Sequence, residues 1–314
     1  MELRDFEAFV AVAEELHFGR AAARLHISQP PLSSRIRMLE QDLKLQLFER
    51  STRSVTLTDA GARLLDPARR VLNQVEDALQ VARSINSGDQ GRVRIGFAGA
   101  SSQRVLPQMA NAVRKAHPGI ELELQSQTYV YTALELVRDG SLDLAFARLP
   151  IPHAELAWRV VEVEELICAL PESHPLADRD SIRLAELRDE DFVSLPDDQG
   201  SILQSTMYSL CVTAGFRPRV AQIAPDSSTV LALVAAGAGV TITLSSVKPV
   251  QSVGLVYRPI EGISPSHMFA TLVWRKDDPS PALAKVLESG EAALPTPDLS
   301  GLAMDESAIG IGNG

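Results

Sequence analysis

The chain has 314 residues, a formal net charge of −10 and a hydrophobic content of 45%. This length exceeds the usual size of one hydrophobic core, and no run approaches the ~18 apolar residues of a membrane span. The N-terminus lacks the apolar core of a secretion signal. Cys168 and Cys211 are too few for a disulfide or metal framework. We therefore expect a cytoplasmic protein of two or three domains, with no membrane partner, cofactor or metal.

Residues 3–16 predict an amphipathic helix, because Phe6, Phe9 and Val10 fall on one face with other apolar side chains. The acids of this segment, Asp5 among them, are expected to point away from that face. We interpret the segment as a scaffold helix beneath the elements that follow.

Residues 20–43 predict two short helices joined by a tight turn at residues 25–28. Ser28 is expected to cap the second helix by accepting a bond from a backbone N–H. Pro30 and Pro31 suit the first turn of that helix, where no N–H is needed.

The second helix has two different faces. One is apolar, with Leu32, Ile36 and Leu39 at helical spacing, and would hold the helix on its domain. The other is polar and suits a major groove; it carries Gln29, Ser33, Arg35 and Arg37. Taken alone, the stretch fits a helix-turn-helix and an ordinary helical hairpin with a solvated face equally well.

Basic residues are concentrated in the same region. Between Arg20 and Arg53 there are seven basic and three acidic residues, and a local positive patch supplies phosphate contacts even on an acidic protein. Residues 45–57 form two β-prone runs around a polar turn that carries Arg50 and Arg53. They predict a β-ribbon wing for the minor groove or the flanking phosphates, with a plain surface hairpin as the alternative.

Residues 58–88 predict one long helix capped by Thr58, about 45 Å in length at ~1.5 Å per residue. Small and apolar residues alternate spacings of three and four, as in a coiled coil: Gly61, Leu64, Ala68, Val71, Val75, Ala78, Ala82 and Ile85. A flanking stripe repeats every seven residues: Leu65, Leu72 and Leu79. We expect pairing with a second subunit, with packing on its own domain as the alternative. Pro67 should bend the helix locally.

A hinge at residues 88–91 precedes alternating strands and helices, which predict two α/β lobes. The first contains strands at 92–97, 120–125 and 142–147 and helices at 103–116 and 131–139. The second contains strands at 164–170, 191–195, 219–223, 239–242 and 255–260 and helices at 184–187, 201–214 and 229–236. A strand at 269–274 is expected to return to the first lobe, so the chain crosses twice and leaves a cleft.

The predicted fold class is therefore α/β with four parts in order. They are a winged helix-turn-helix DNA-binding domain (1–58), a linker dimerisation helix (59–90), a two-lobed effector-binding domain (91–295) and a flexible tail (296–314). The first lobe covers about 91–161 and 267–295, and the second about 162–266.

With these elements in order, the chain resembles the LysR-type transcriptional regulators. The resemblance rests on "FGRAAARLHISQPPLSSRIRMLEQDL" and "LFERSTRSVTLTDAG", and continues by pattern through the linker helix and an effector domain similar to periplasmic binding proteins. It implies a homodimer or homotetramer that binds double-stranded operator DNA, contacts RNA polymerase and responds to a small-molecule effector. The effector domain resembles those that sense muconate and related acids in aromatic catabolism.

The resemblance places Gln29, Pro30 and Ser33 at the DNA-facing start of the recognition helix. The family usually has arginine where this chain has Ser34, so Arg35 either takes over a phosphate contact or the base readout differs. Lys44 stands where glycine is common, which weakens the expectation of a left-handed C-cap. The candidate DNA-binding residues are Ser28, Gln29, Pro30, Ser33, Ser34, Arg35, Arg37, Arg50 and Arg53.

Loops at the carboxyl ends of parallel strands line the ligand crevice of open α/β sheets. The loops after the first two strands, the end of the third strand, and the helix start at residues 226–229 carry hydroxyls and an arginine. Two facing helix starts of this kind suit a molecule with an acid group at each end, although plain helix caps are the alternative. The candidate effector-binding residues are Ser101, Ser102, Thr128, Arg148, Ser227 and Ser228.

No catalytic set is found, because the six histidines are scattered and show neither a carboxylate pair nor metal-ligand spacing. We therefore expect no enzyme activity. Cys168 and Cys211 are interpreted as core residues rather than a redox pair. The competing function is a solute-binding protein of a transport system, which predicts a signal peptide and no basic winged helix.

Overall fold

The computed structural model describes residues 1–50, 54–87, 91–197, 201–248, 253–300 and 302, excluding the side chains of residues 76, 77, 80–87, 100 and 101. Arg53, residues 88–90 of the predicted hinge and residues 303–314 of the predicted tail lie outside these ranges. The chain forms two compact units. One contains Met1–Asn86 with Asp139–Ser141, and the other contains Ser87–Arg138 and the chain from Leu142 onward.

The first unit is a winged helix-turn-helix followed by a long helix, and every element predicted for it is confirmed. In chain order these are α1 (Leu3–Glu15), α2 (Phe18–Arg24), α3 (Gln29–Leu43), the antiparallel strands β1 (Phe48–Arg50) and β2 (Val55–Leu57), and α4 (Asp59–Ser87). The predicted stripe of α3, Leu32, Ile36 and Leu39, is fully buried. It belongs to one core with Phe9 and Phe48, whose ring centroids lie 5.6 Å apart.

Three local predictions for this unit need correction or completion. Asp5 is buried rather than directed away, because it accepts the Glu2 N–H at 2.6 Å and a bond from Arg35 Nη1 at 3.0 Å. Ser28 occupies the N-cap position of α3, but its hydroxyl accepts no capping bond. Lys44 does form the left-handed C-cap, with φ of 54°, a conformation that usually favours glycine.

The start of α4 is fixed to the wing. The Thr58 hydroxyl accepts the Gly61 N–H at 3.0 Å, as predicted for a cap, and donates to the Gln46 carbonyl at 2.7 Å. Gly61 packs directly on the backbone of the preceding segment, since a Cβ there would lie 2.2 Å from the Leu47 carbonyl oxygen. Only glycine allows this approach.

The apolar seam of α4 divides into two halves. In the first half, Ala68 is buried and Leu64 is partly buried in the core of the same unit. Farther along, Val71 of the seam is 37% exposed and Leu79 of the flanking stripe is 46% exposed, although Leu72 of that stripe packs against the core. Packing on its own domain therefore explains the first half only. The side chains of Ala82 and Ile85 are outside the description, and the bend at Pro67 stays a prediction.

The second unit has α/β architecture built on one extended sheet and a small two-stranded one. The extended sheet has the strand order β4 (Ile120–Gln125), β3 (Gly91–Gly96), β5 (Leu144–Arg148), β12 (His267–Arg275), β6 (Leu156–Pro171), β11 (Leu255–Glu261) and β7 (Ile182–Arg183), with β10 (Thr241–Leu244) also paired to β6. The small sheet pairs β8 (Asp191–Ser194) with β9 (Arg219–Ile223). The helices are α5 (Val105–Ala116), α6 (Val130–Arg138), α7 (Ile202–Thr213), α8 (Ser227–Ala235) and α9 (Pro281–Ala293).

The long strand β6 joins the two predicted lobes. Its first ten residues pair with β12 in the first lobe, and Leu166–Pro171 pairs with β10 and β11 in the second. The sequence predicted only the second part of this strand, because charged residues such as Arg159 and Glu162 interrupt its first part. Helix α9 was also missed, and Leu299, within the predicted tail, packs against the first lobe.

Both cysteines lie in the core of the second lobe, where they are free and fully buried. Burial raises the pKa of the Cys168 thiol and raises the pKa of Cys211 to about 12. Neutral thiols are poor nucleophiles, so this arrangement agrees with their interpretation as core residues. No helix in the described part of the chain has the length and apolar character needed to cross a membrane.

The close contact at Gly61 makes a stability prediction. Gly61→Ala should lower the free energy of unfolding by about 1–3 kcal/mol, because the added methyl overlaps a backbone oxygen that cannot move cheaply. In an unobstructed helix the same change would add about 1 kcal/mol. Denaturant unfolding measures the difference. Ala62→Gly, at the adjacent exposed position, supplies the helix-propensity control, and a stabilised Gly61→Ala would show that the contact is absent.

Candidate DNA interface and effector cleft

The outward face of α3 carries a row of three polar side chains. Gln29, Ser33 and Arg37 are spaced four residues apart, so at ~100° per residue they lie close together and away from the buried stripe. Gln29 and Arg37 are exposed and Ser33 is half-buried; Pro30 and Ser34 are exposed on the same side. An amide, a hydroxyl and a guanidinium are the groups that bind base edges and phosphates in a major groove.

Arg35 does not belong to this row. Its position is about 100° from that of Ser34, and its guanidinium bonds to the partly buried carboxylate of Asp5 at 3.0 Å. The same carboxylate caps the start of α1 through the Glu2 N–H. Arg35 therefore fastens the recognition helix to the scaffold helix.

Other cations of the basic patch are paired within the domain. Arg20 contacts Glu15 at 3.0 Å and Arg24 contacts Glu14 at 2.6 Å. Exposed pairs of this kind are worth about 0–1 kcal/mol and are screened by salt, so a DNA phosphate can displace the acid. Arg37 takes part in neither pair, so its charge is available without a competing acid from these two.

Arg50 connects the wing to α3. Its guanidinium bonds to Glu40 at 2.7 Å and lies 4.9 Å above the Phe18 ring. The second oxygen of Glu40 accepts the Leu47 N–H at 3.0 Å, so one carboxylate orders the entry to β1. Arg50 thus has a structural role, while Arg53, the other predicted wing cation, lies outside the described residues.

A cleft with about 520 Å³ of empty space, part of it open to solvent, lies between the lobes of the second unit. Its walls are mostly apolar, with a few hydroxyls and one guanidinium among the described residues. The first lobe contributes Ala98, Thr128, Tyr129, Val130, Phe146 and Arg148; the second contributes Leu195, Ser201, Ile202, Leu203, Ser227, Thr243, Leu244 and Val247.

Three of the six predicted effector-binding residues line this cleft: Thr128, Arg148 and Ser227. The Thr128 hydroxyl donates to the Gln125 carbonyl at 3.1 Å, so it also supports its own loop. Ser102 is buried, and its hydroxyl donates to the Ala98 carbonyl at 3.0 Å, a local bond that does not cap a helix. Ser228 is exposed, and the side chain of Ser101 is outside the description.

Arg148 is held by a buried carboxylate at the crossing between the lobes. Its Nε and Nη2 atoms lie 2.9 and 2.8 Å from Glu164 Oε2, and Glu164 is completely buried. The other oxygen of Glu164 accepts the Ser246 hydroxyl from the second lobe. Nη1 of Arg148 bonds to none of the residues that the structure describes, which leaves this nitrogen for a ligand.

A second acid lies beside this pair. This acid is Glu162, which lies on β6 where the register with β12 shifts, opposite Ala270 and Thr271. Its carboxylate bonds to Arg104 at 2.6 Å. Burial raises the pKa of Glu162, while the bond to Arg104 opposes the shift. Glu162 is also close enough to Glu164 and Arg148 to feel their charges, so two arginines and two acids form one cluster, of which Arg148 lines the cleft.

The helix start predicted to bind an acid in the second lobe already holds one. Asp226 caps α8 by accepting the Thr229 N–H at 2.9 Å and the Thr229 hydroxyl at 2.8 Å. These bonds hold the pKa of Asp226 below its ordinary value. In contrast, α7 begins at the cleft with a neutral cap, Ser201, which accepts the Gln204 N–H at 3.4 Å.

Eleven of the fourteen described lining residues were not predicted, among them Tyr129, Phe146, Ser201 and Thr243. The Tyr129 hydroxyl reaches across the cleft to the Pro225 carbonyl at 3.5 Å, and burial with the nearby Asp226 charge raises its pKa. Ser201 could have been found from the sequence, since it is the first residue of the helix predicted at 201–214. Thr243 had none, because it alternates with apolar residues inside a strand.

Comparisons with known proteins agree with both units. Residues 3–62 match the model of the bacterial regulatory helix-turn-helix protein, lysR family, and residues 86–294 match the LysR substrate binding domain. The regulator ShiR of Corynebacterium glutamicum (strain R) is 41% identical over 261 residues, covering 83% of this chain and 88% of ShiR.

Solved structures show the same architecture. The crystal structure of CbnR, a LysR family transcriptional regulator, has a TM-score of 0.72 at 28% identity and covers 94% of this chain and 99% of its own. Full-length CbnR complexed with its target DNA has a TM-score of 0.70 at 28% identity, with 93% and 100% covered. These relatives are regulators and not transport proteins, which removes the competing function. The chain belongs to the LysR family and is a DNA-binding transcriptional regulator with an effector-binding domain.

Proposed function

We propose that this regulator reads a two-fold symmetric operator through the outward row of α3, as a homodimer paired through α4 that assembles further into a tetramer. A small organic acid in the interlobe cleft controls that binding or the contact with RNA polymerase. The observation that carries the DNA part is the row of Gln29, Ser33 and Arg37, from which Arg35 is withdrawn by its bond to Asp5.

Each member of the row has a separate task. The Gln29 amide can make two hydrogen bonds to an adenine edge, and the Arg37 guanidinium can bind guanine or a phosphate. Ser33 reaches bases of any identity or the backbone. The exposed pairs at Arg20 and Arg24 exchange their acids for phosphates, which adds affinity without sequence information.

Dimerisation is supported by the second half of α4. Val71 and Leu79 are exposed apolar side chains on a helix whose earlier seam residues, Leu64 and Ala68, pack in the core of the first unit. A continuing apolar stripe without a partner in its own domain suits a second copy of the same helix. A dimer also matches the symmetry expected of an operator with two half-sites.

Effector control is supported by the composition of the cleft. Apolar walls with a few placed hydroxyls and one arginine are typical of small-molecule sites, and Arg148 selects for an acid. The ligand shifts the lobe arrangement only by its differential affinity for the two states. Glu164 links Arg148 to Ser246 in the other lobe, so a ligand bound to Arg148 acts on a contact that spans both lobes.

Arg37 and Arg35 should behave differently when replaced. Arg37→Ala is expected to weaken operator binding by about 1–3 kcal/mol and, if it contacts phosphate, to reduce the salt slope by about one. Arg35→Ala should instead destabilise the first unit, by roughly 1 kcal/mol, because Asp5 loses its partner. Fluorescence anisotropy with operator and random duplexes over a salt series, with thermal unfolding, separates the two. Equal changes in salt slope would contradict the assignment.

Leu79→Glu should shift the protein from dimer or tetramer toward monomer, because a charge replaces an apolar side chain in the proposed pairing surface. Sedimentation velocity over a concentration range measures the change. Ala62→Glu introduces the same acid at an exposed position on the opposite side of α4 from Val71, nine residues or about 180° away, and serves as the control. Unchanged assembly of Leu79→Glu would place the dimer interface elsewhere.

Removing Arg148 together with its partner should abolish acid binding without leaving a buried charge unpaired. In the parent, an effective acid at ~100 times its Kd should add roughly 2.7 kcal/mol of stability. The double variant Arg148→Met with Glu164→Gln should lose that gain in a thermal-shift screen of small carboxylates. Glu165→Gln, an exposed neighbour on β6, should retain it. Retention by the double variant would show that Arg148 is not the anion partner.

A further inference from the structure

A second cavity leads from the cleft into the second lobe. It contains about 340 Å³ of atom-free space, part of which is open to solvent. Residues of α7, α8, β8 and β10 line it, and four of them also line the cleft: Leu195, Leu203, Ser227 and Thr243. The cleft and the cavity are therefore adjacent compartments with a shared wall.

The interior of this cavity is apolar. Met207, Leu231 and Ile242 are each about 2% exposed and form its deeper walls. Two hydroxyls there are already used, since Ser194 donates to the Leu195 carbonyl at 3.1 Å and Thr241 to the Ile242 carbonyl at 3.5 Å. The cavity suits a hydrocarbon group and has little to offer a charged one.

Thr243, on the shared wall, is different. It is 4% exposed, and its hydroxyl makes no hydrogen bond to any residue that the structure describes. Because Thr243 lines both the cleft and the cavity, its hydroxyl can donate to a ligand oxygen at this wall. Thr243 marks the boundary at which the polar end of a ligand gives way to its apolar body.

Charge around the cleft favours a single acid group. Arg148 is the one cationic side chain among the described lining residues, and two of its nitrogens are bound to Glu164. The neutral-capped start of α7 adds a favourable dipole, because Ser201, Ile202 and Leu203 line the same space. A second acid group near α8 would meet the Asp226 carboxylate.

We propose that the effector is a monocarboxylic acid with an extended apolar body. Its carboxylate binds between Arg148 Nη1, the start of α7 and the Thr243 hydroxyl, and its apolar body enters the cavity of the second lobe. This inference rests on the proposed function of the cleft. It replaces the molecule with an acid at each end that the sequence suggested.

Two matched series of acids test the proposal on the full-length protein. The monoacids are butyrate, hexanoate and octanoate; the diacids are succinate, adipate and suberate. Calorimetric titration should show monoacid affinity rising by about fourfold for each added methylene that is buried. Diacids of the same length should bind at least tenfold more weakly, because their second carboxylate enters an apolar cavity.

Two variants locate the apolar body and the acid group. Leu203→Trp should flatten the dependence on chain length by closing the shared wall, whereas Ser205→Trp, exposed on the same helix, should leave it unchanged. Thr243→Val keeps the side-chain shape and should weaken the binding of every monoacid by roughly tenfold, because the hydroxyl is lost.

The outcomes separate the inference from the function on which it rests. If diacids bind as tightly as monoacids of equal length, or if chain length has no effect in the parent, the inference is wrong. Binding that still depends on Arg148 would in that case preserve the cleft as the effector site. If no acid of either series binds, the inference and the proposed acid effector fail together.

Discussion

The buried pair of Arg148 and Glu164 is the interaction on which the effector domain depends. Glu164 lies on β6, where one strand passes from the first lobe to the second, and it is completely removed from water. A buried carboxylate is tolerated only with strong partners, and losing one costs about 3–5 kcal/mol. Its partners come from both lobes, since Arg148 ends β5 and Ser246 follows β10. The same pair that closes the lobes also exposes one guanidinium nitrogen to the cleft.

The DNA-binding unit also pairs its charged side chains within the fold, but most of these ion pairs are exposed and therefore weaker. Its arginines outnumber its acids around the recognition helix, yet Asp5, Glu14 and Glu40 neutralise several of them within the fold. Exposed pairs cost little to break, so they lower repulsion in the free protein and release cations to phosphate on binding. The partly buried pair of Arg35 and Asp5 is harder to exchange, which suits a structural role.

The sequence predicted most elements of the fold because periodicity and caps are local. The stripe of Leu32, Ile36 and Leu39 requires only helical spacing, and the cap at Thr58 requires only its neighbours. Prediction from the sequence failed where the residues that surround a side chain come from distant segments of the chain. Asp5 looked like a solvated acid until Arg35, thirty positions away, was placed beside it. The first half of β6 was missed because its charged residues are stabilised by partners that no local pattern reveals.

The same limit applies to the candidate cleft. Thr128 and Arg148 were found because strand ends face a crevice in any open α/β sheet. Thr243 sits mid-strand, and only the packing of α7 and α8 on β10 turns it toward a cavity. The helix start at Ser227 was predicted to line the cleft because residues 227–229 all carry hydroxyls. Its capping acid, Asp226, was visible in the sequence, but its effect on a second anion required the observed bonds to Thr229.

The rigid junction at Gly61 has a consequence for operator geometry. Because Thr58 and Gly61 join α4 directly to the wing, the recognition helix and the first part of α4 belong to one packed core. Consider a dimer that pairs through the later half of α4. The distance between its two recognition helices then depends on the residue at which the pairing begins. Adding one residue before that point would rotate each recognition helix by about 100° and advance it by about 1.5 Å. Under the proposed pairing, the linker helix would set the spacing between half-sites, and α3 would select the bases within each half-site.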